Sequence, residues 1–285
     1  MQKPNLFIVG APKAGTTFLY EKLKNHPELF FSEIKELNHF SYDELKAGSY
    51  YRDYKIKDRT KYLDCYRAAR GQKYIVDASV SYFAYPGVAQ KIYEFNPSAK
   101  VIIILRDPYK RAFSHYLMDK RMRYAHKTFC EYINERGPHF IQYVGNSLYG
   151  KNVHNFINVF GMDNVLVMKL ENIKDELDSL FTFLQIQNNA NEIDTQEQIN
   201  PNKTPKNFIA SFFQKNRGIT EKLKAALPKK VIVFFNSFLY RKADENIKIS
   251  HEEIECLKKI IGPDLSRFDE LGLPVNFKEI NSIYA

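Results

Sequence analysis

The chain has 285 residues, of which 44% are hydrophobic and 14% aromatic, so it holds enough apolar material to bury a full core. We predict one large domain, 1–285, rather than two. The formal net charge of +9 indicates anionic partners: a nucleotide, a sulfated or carboxylated sugar, nucleic acid or an anionic membrane surface. The strongest apolar runs are much shorter than the roughly 20 residues that cross a bilayer, which predicts no transmembrane segment.

Cysteine and histidine usage narrows the class of protein further. The three cysteines, Cys65, Cys130 and Cys256, are widely spaced and odd in number, which favours reduced thiols over a disulfide framework or a zinc site. The histidines show no spacing such as H-E-x-x-H, so we predict no metal. The first residues lack the basic, apolar and cleavage regions of a secretory signal. These features together predict a cytoplasmic protein.

Apolar runs of buried-strand length occur at 5–10, 74–77, 101–105 and 164–169. Helical stretches separate these runs along the chain. This alternation is typical of a parallel β-sheet with helices on both faces. The predicted fold class is therefore α/β, with a central parallel sheet as in P-loop proteins.

Several intervening helices carry recognisable boundaries. Asn96-Pro97 ends one helix, and Asp107-Pro108 begins the next with Asp as N-cap and Pro in the first turn. Apolar side chains at i, i+3, i+4 and i+7 predict two further helices that face the core. Their apolar residues are Val153, Phe156, Ile157 and Phe160 in the first, and Leu177, Leu180, Phe181 and Leu184 in the second.

The last hundred residues differ in character from the first 185. The segment 187–207 is polar and predicts a long exposed loop. Ser250 and Glu253 form a capping box that begins a helix near the end of the chain. We therefore divide the single domain into a core, 1–185, and a C-terminal part, 186–285. We expect the C-terminal part to complete the ligand-binding sites of the core that are described below.

The most informative segment is a strand, a Gly-rich turn and a helix at 7–19. Gly10 and Gly15 permit close backbone approach, so N–H groups and the helix N-terminus can converge on an anion. Lys13 adds a positive charge, and two threonines follow it with hydroxyl donors. The lysine precedes the second glycine, whereas in a Walker A loop it follows that glycine directly. The segment predicts a phosphate-binding loop unlike that of an ordinary NTPase.

A second candidate anion site follows the strand at 101–105. This strand places Arg106 at its carboxyl end, and the helix that begins at Asp107 carries Ser114 in its second turn. Ligands bind at the carboxyl edge of open parallel sheets. Arg106 and the Gly-rich loop are thus expected on one edge, where they can hold a ligand with two separated phosphate groups.

Together, the two segments resemble the sulfotransferases that use 3′-phosphoadenosine 5′-phosphosulfate. Gly10-Ala11-Pro12-Lys13-Ala14-Gly15-Thr16-Thr17 is similar to their loop for the 5′-phosphosulfate, and 105–116 is similar to their 3′-phosphate segment. The similarity is closest to the carbohydrate branch, which contains the heparan sulfate sulfotransferases and their bacterial relatives. Further similarity occurs at 35–40, 77–83, 148–150 and 164–167.

The resemblance implies transfer of a sulfuryl group to a hydroxyl or amine, with adenosine 3′,5′-bisphosphate as the product. It implies that Lys13 stabilises the transferring and leaving groups and that Glu36 is the general base, with His39 as the alternative base. Residues implied in donor binding are Lys13, Ala14, Gly15, Thr16, Thr17, Arg106 and Ser114, together with Lys203 and Lys206 in the polar loop.

The candidate acceptor-binding residues are Lys35, Asp77 and Tyr149. For Asp77, a supporting role and a helix cap are equal alternatives to acceptor binding. For Tyr149, the alternative is a place in the core. The pattern departs from the 3-O-sulfotransferases, because Asn38 replaces their His and Ala78 replaces their Lys. The predicted acceptor is a glycan or its lipid-linked precursor.

Two other function classes remain open at this point. A P-loop small-molecule kinase shares the strand, loop and helix, although this chain lacks the usual Lys-Ser/Thr order and an evident Walker B acid. A non-catalytic module for anionic polysaccharide or RNA would account for the charge alone. The family resemblance favours the sulfotransferase and predicts no nucleic-acid partner.

Overall fold

Five parallel strands form the central sheet of the protein. The computed structural model describes residues 3–48, 56–189, 203–205, 240–242 and 248–277. Each strand is largely buried, as expected when both faces of a sheet are covered by other elements. The strands are β1 (Leu6–Gly10), β2 (Leu29–Phe31), β3 (Tyr74–Asp77), β4 (Lys100–Leu105) and β5 (Val165–Lys169).

The order of the strands in the sheet is β2-β3-β1-β4-β5. Leu6 of β1 is in register with Val76 of β3 on one side and with Lys100 of β4 on the other. β1 is thus the central strand, with β3 on one side and β4 on the other. The point at which the strand order reverses lies next to the Gly-rich turn that follows β1. The predicted α/β class with a parallel sheet is confirmed. β2 was missed because three residues are too few to show a periodic pattern.

Helices fill the connections between the strands. The predicted boundaries are confirmed at Asp107, whose carboxylate accepts hydrogen bonds from the backbone N–H groups of Tyr109 and Lys110, and at the Ser250–Glu253 capping box. The longer helices are α1 (Thr16–Leu23), α4 (Pro86–Phe95), α5 (Pro108–Arg121), α8 (Tyr149–Phe160), α9 (Ile173–Leu184) and α10 (His251–Asp269), and the shorter ones are α2 (Tyr42–Gly48), α3 (Arg59–Asp64), α6 (Phe129–Glu135) and α7 (Pro138–Tyr143).

The C-terminal helix α10 packs against α8, α6 and α5. Asp264 of α10 accepts hydrogen bonds from the backbone N–H groups of Gly150 (2.8 Å) and Lys151 (2.9 Å), which satisfies two donors at the start of α8. A Cβ on Gly150 would lie 2.3 Å from the Asp264 backbone oxygen. Gly150 is therefore required for the close approach of the two helices.

A disulfide joins Cys130 of α6 to Cys256 of α10. The prediction of three reduced thiols is wrong for this pair, because the packing of α10 against α6 brings the two Cα atoms to 5.9 Å across 126 residues of sequence. Cys65 is a free thiol. Because two of the three cysteines form a disulfide, the cysteines no longer support the prediction of a cytoplasmic location.

The polar segment 187–207 contains one half of a small antiparallel sheet. In that sheet β6 (Lys203–Pro205) pairs with β7 (Tyr240–Lys242), so the prediction of an uninterrupted loop is wrong over these three residues. The backbone of Lys203 is in register with that of Lys242. Lys206 lies outside the described residues.

Candidate functional site

The Gly-rich turn connects β1 to α1 at the carboxyl edge of the sheet. Gly15 is the N-cap of α1 with φ of 89°, a left-handed conformation that favours glycine. A Cβ on Gly15 would lie 2.5 Å from Leu170 Cδ1, and one on Gly10 would lie 2.5 Å from Phe83 Cβ. Close packing therefore requires glycine at both positions, and at Gly15 the backbone conformation requires it as well. The turn presents the N-terminus of α1.

Lys13 lies within this turn in a cationic pocket. Its Nζ contacts Met118 Sδ of α5 at 3.8 Å. Burial, followed by the nearby charges of Arg121 and Arg106, lowers the pKa of Lys13 to about 8, while Asp119 opposes this shift. Several cations thus share a poorly solvated space with one carboxylate. An anionic group bound here would relieve their mutual repulsion.

Arg106, immediately after β4, contacts the turn directly. Its Nη1 donates a hydrogen bond to the Lys13 carbonyl oxygen at 3.1 Å. Its Nε is buried and has no hydrogen-bond partner among the described residues. A buried donor of this kind is costly unless a ligand accepts its hydrogen bond. The two sequence-predicted anion sites are therefore adjacent, and Arg106 retains a donor for a ligand.

Arg111 of α5 supports the same turn from the core. Its side chain is fully buried, and its Nη1 donates to the Pro12 carbonyl oxygen at 3.3 Å. Arg111 was not among the site residues predicted from the sequence. Arg111, Ser114 and Met118 lie at i, i+3 and i+7 on one face of α5. This spacing was the sequence signal that could have placed Arg111 near the predicted site residue Ser114. The other acceptors of the guanidinium are Ser147 Oγ, the Gln142 oxygen and the Tyr143 oxygen.

Glu36 is connected to the turn through Lys35. Lys35 Nζ donates to Thr17 Oγ1 of α1 at 3.0 Å and forms an ion pair with Glu36 Oε1 at 3.1 Å. The Glu36 side chain is 39% exposed, whereas that of Lys35 is 18% exposed. The structure thus places a solvent-accessible carboxylate beside the first turn of α1, and it makes Lys35 a bridge between two predicted site residues.

His39, the alternative base, lies three residues after Glu36. Its Nδ1 is 3.0 Å from the Ile56 carbonyl oxygen, so Nδ1 carries the proton and Nε2 is the basic nitrogen. The ring stacks on Tyr62 with centroids 4.2 Å apart. Burial lowers the pKa of His39, which keeps the ring neutral near pH 7. His39 is thus half-buried and held on two sides, whereas Glu36 is more exposed.

Asp77, predicted to bind the acceptor, is 1% exposed at the end of β3. Its Oδ1 accepts a hydrogen bond from Ser79 Oγ at 2.6 Å, and its Oδ2 accepts hydrogen bonds from the hydroxyls of Tyr62 and Tyr82, both at 2.8 Å. Burial raises the pKa of this carboxyl. Direct acceptor binding is wrong for Asp77, because both oxygens are occupied by hydroxyls inside the core. The supporting role remains.

Tyr149 requires a similar correction. The residue is fully buried at the start of α8, and its hydroxyl donates to the Arg106 carbonyl oxygen at 2.9 Å. It therefore supports the backbone of Arg106 and does not face an acceptor. Of the other predicted donor-site residues, Ala14 and Thr16 are buried, Gly15, Thr17 and Ser114 are partly buried, and for Lys203 only the backbone is described.

Asp119 of α5 was missed by the sequence analysis. Its Oδ2 accepts a hydrogen bond from the Tyr143 hydroxyl at 2.7 Å, and its buried Oδ1 has no hydrogen-bond partner among the described residues. Burial raises its pKa to about 7, against the opposing effect of Lys13. A single aspartate within a helix gave no sequence signal. Only the packing of α5 against the turn reveals its proximity to Lys13.

The described ranges contain no group of three or more His, Cys, Asp or Glu side chains arranged to hold a metal ion. Within the same ranges, no helix is both long and apolar enough to cross a membrane.

Comparison with known proteins relates part of the chain to a known family. The model of the sulfotransferase family matches residues 4–144, a range that includes the Gly-rich turn, Glu36 and Arg106. This segment, just under half of the 285 residues, is similar to the sulfotransferase family.

The relatives of this chain include proteins whose names mention a carbohydrate. Carbohydrate sulfotransferase 15 of Mus musculus is 28% identical over 249 residues, covering 64% of this chain and 44% of the mouse protein. Heparan sulfate glucosamine 3-O-sulfotransferase 5 of Mus musculus is 32% identical over 119 residues, covering 40% of this chain and 30% of that protein. The membrane-associated sulfotransferase kil1 of Dictyostelium discoideum is 34% identical over 113 residues, covering 40% and 22%. The chain thus matches less than half the length of each of these relatives.

A solved structure supports the fold over most of the chain. The sulfotransferase from Alicyclobacillus acidocaldarius superposes with a TM-score of 0.69 at 24% identity, covering 95% of this chain and 96% of that protein. At this level of identity the likeness supports the fold alone. The shared fold includes the parallel sheet whose carboxyl edge carries the site.

Proposed function

We propose that this protein transfers a sulfuryl group from 3′-phosphoadenosine 5′-phosphosulfate to a hydroxyl or amine of a carbohydrate. The observation that carries the proposal is the pocket around Lys13, which lies in the segment that matches the family. Partly buried cations surround Lys13 there, and the buried Nε of Arg106 has no hydrogen-bond partner among the described residues. Such positioned cations are what transfer of a charged sulfuryl group requires.

The donor would bind across the carboxyl edge of the sheet. The turn around Lys13 and the N-terminus of α1 would hold the 5′-phosphosulfate through backbone N–H groups and the Thr16 and Thr17 hydroxyls. Arg106 and Ser114 would hold the 3′-phosphate, with Arg111 fixing the turn from behind. Lys203, in β6, is a further candidate for donor contact, and so is Lys206.

The reaction would be an in-line displacement at sulfur. The acceptor oxygen or nitrogen forms a bond to sulfur, while the bond between sulfur and the bridging oxygen of the donor breaks. The bridging oxygen keeps the electron pair and leaves as part of adenosine 3′,5′-bisphosphate, where Lys13 offsets its growing negative charge. Glu36 takes the acceptor's proton, and His39 is the alternative base.

The acceptor is proposed from the relatives and from charge. Two relatives carry carbohydrate and heparan sulfate in their names, and this chain has a formal net charge of +9, which favours acidic glycans or glycolipid precursors. Lys35 lies beside Glu36 and is the remaining candidate for acceptor contact. A cytoplasmic location stays a prediction, and the Cys130–Cys256 disulfide gives it no support. We also infer a single domain over 1–285, because α10 packs directly on helices of the core.

Calorimetric titration with adenosine 3′,5′-bisphosphate, beside ATP and AMP, tests the donor site. We expect the bisphosphate to bind tightest, and we expect Arg106→Ala to weaken it by at least about tenfold, since a charge-assisted hydrogen bond is lost. Arg67→Ala, which changes an exposed arginine, is the control and should bind like the parent protein. Mass spectrometry would then measure whether the protein releases adenosine 3′,5′-bisphosphate and forms a sulfated glycan.

Two results would contradict the proposal. Preferential binding of ATP with magnesium-dependent phosphorylation of a small molecule would favour the kinase alternative. Binding of polyanions with steep salt dependence and no preference for the 3′-phosphorylated nucleotide would favour the non-catalytic module.

A further inference from the structure

The loop from Glu36 to Phe40 adopts an unusual backbone. Glu36 has φ of 61° and Asn38 has φ of 53°, both in the left-handed region, although neither residue is glycine. Such conformations persist only where the surroundings hold them firmly. Because Glu36 is itself one of these residues, whatever holds the loop also determines where its carboxylate points.

Three consecutive residues of this loop are held from two places: Asn38 and Phe40 by the segment after β3, and His39 by α3. The Asn38 N–H donates to Ser79 Oγ at 3.1 Å, and the Phe40 N–H donates to the Tyr82 hydroxyl at 3.4 Å. Between them, the His39 ring stacks on Tyr62, with an angle of 9° between the ring planes. The Glu36 N–H also reaches this segment, at the Ala78 carbonyl oxygen.

The three side chains Ser79, Tyr62 and Tyr82 converge on Asp77. Ser79, Tyr62 and Tyr82 each donate their hydroxyl proton to its carboxylate. A hydroxyl has one proton to donate, so donation to Asp77 leaves its oxygen lone pairs to accept from elsewhere. In Ser79 and Tyr82 those lone pairs accept the loop N–H groups. The carboxylate of Asp77 therefore sets the donor and acceptor directions of the whole group.

We propose that Asp77 is a positioning residue for Glu36, acting through Ser79, Tyr82 and Tyr62 to hold the loop at 36–40 in its reactive conformation. This inference rests on the proposed role of Glu36 as the base. Asp77 itself touches neither donor nor acceptor, because it is buried below the loop.

The test uses Asp77→Asn, Ser79→Ala and Tyr82→Phe. The matched control is Tyr74→Phe, because Tyr74 is also in β3 and also buries its hydroxyl, but donates to the distant Leu184 carbonyl oxygen at 3.1 Å. Each variant is examined for sulfuryl-transfer kcat, for the Kd of adenosine 3′,5′-bisphosphate and for hydrogen exchange of the loop amides.

We expect Asp77→Asn and Ser79→Ala to lower kcat by about 10²-fold, as a small misplacement of a reacting group does. The Kd should stay within about twofold, because the altered hydrogen bonds join Asp77, Ser79 and Tyr82 to one another and to the loop at 36–40. The Asn38 amide should exchange about tenfold faster, corresponding to the loss of one net hydrogen bond. Tyr82→Phe should accelerate the Phe40 amide instead, and Tyr74→Phe should leave loop exchange and kcat unchanged.

Several outcomes overturn the inference. Unchanged loop exchange in Ser79→Ala and Tyr82→Phe would show that these side chains do not hold the loop, and faster exchange with an unchanged kcat would show that the loop does not position the base. An equal loss of kcat in Tyr74→Phe would assign the effect to general destabilisation. If Asp77→Asn does not fold, the other two variants still decide. A parent protein that binds no bisphosphate and transfers no sulfuryl group would refute the proposed function as well.

Discussion

The two sides of the site are built on opposite principles. On the proposed donor side, buried Arg111 and partly buried Arg106 both donate hydrogen bonds to carbonyl oxygens of the turn around Lys13. On the proposed base side, the loop at 36–40 is held by neutral hydroxyls gathered around the single carboxylate of Asp77.

The difference follows from what each side must do. A site that receives an anion benefits from unbalanced positive charge, although that charge costs stability until the ligand arrives. A side chain that accepts a proton must be aimed accurately, and hydroxyl groups can fix direction without adding another full charge beside it. Changes on the donor side should therefore alter binding and stability, whereas changes on the base side should alter turnover.

Glu36→Gln gives the largest expected effect and the sharpest test of this separation. Removing the base should lower kcat by about 10²- to 10⁴-fold, while the Kd of adenosine 3′,5′-bisphosphate stays unchanged. Steady-state kinetics beside calorimetry measures both. Glu33→Gln, at an exposed position three residues earlier, is the control. Near-normal turnover in Glu36→Gln would reassign the base, and His39→Asn would then be the next variant.

Arg111→Ala should lower the free energy of unfolding by about 3 kcal/mol or more, because several buried carbonyl oxygens lose their donor. Urea denaturation measures this loss, and Arg67→Ala should change stability by less than about 0.5 kcal/mol. Arg111→Lys should recover little, since an ammonium group cannot replace a planar guanidinium across these acceptors. A stable Arg111→Ala protein would mean that the donor side does not depend on this buried cation.

The Cys130–Cys256 disulfide lies on neither side of the comparison and tests whether stability alone affects the site. Its reduction, or Cys130→Ser, should lower the free energy of unfolding by about 2–4 kcal/mol and leave the Kd of the bisphosphate unchanged. Thermal unfolding with and without reductant measures the change, with Cys65→Ser as the control. Detection of three free thiols in the unfolded, unreduced protein would contradict the bond.

The smallest expected effect is a pH dependence of donor-side binding. Lys13 has a pKa of about 8 in the folded protein and is charged below it, so the bisphosphate should bind more weakly as the pH rises through 8, approaching tenfold per pH unit. Asp119, with a pKa of about 7, gains a negative charge as the pH rises and adds to this weakening. Calorimetry between about pH 6.5 and 9.5 measures both effects.

Two variants separate these contributions. Lys13→Arg should remove the alkaline loss, because arginine stays charged throughout this range. Asp119→Asn should remove the earlier decline near pH 7. A Kd independent of pH in the parent protein would mean that Lys13 does not titrate at the site.

Local signals in the sequence were sufficient for the parallel sheet, the caps of α5 and α10, and the two segments that meet at Lys13 and Arg106. Each of these depends on neighbours within a few residues: an apolar run, an Asp-Pro pair, or glycines flanking a lysine. The chemistry of the strand ends could be predicted for the same reason, because parallel strands all deliver their carboxyl ends to one edge.

Only the tertiary structure decided which of the polar residues face the core. Asp77 and Tyr149 sit at strand and helix ends, where sequence reasoning expects contact with ligand, yet both are buried by elements more distant in sequence. The Asp119 proximity to Lys13 and the Cys130–Cys256 bond depend on helix packing across about a hundred residues. The sequence by itself determined the local segments and their chemistry, whereas burial and long-range pairing required the packed chain, because no local pattern encodes which distant surfaces meet.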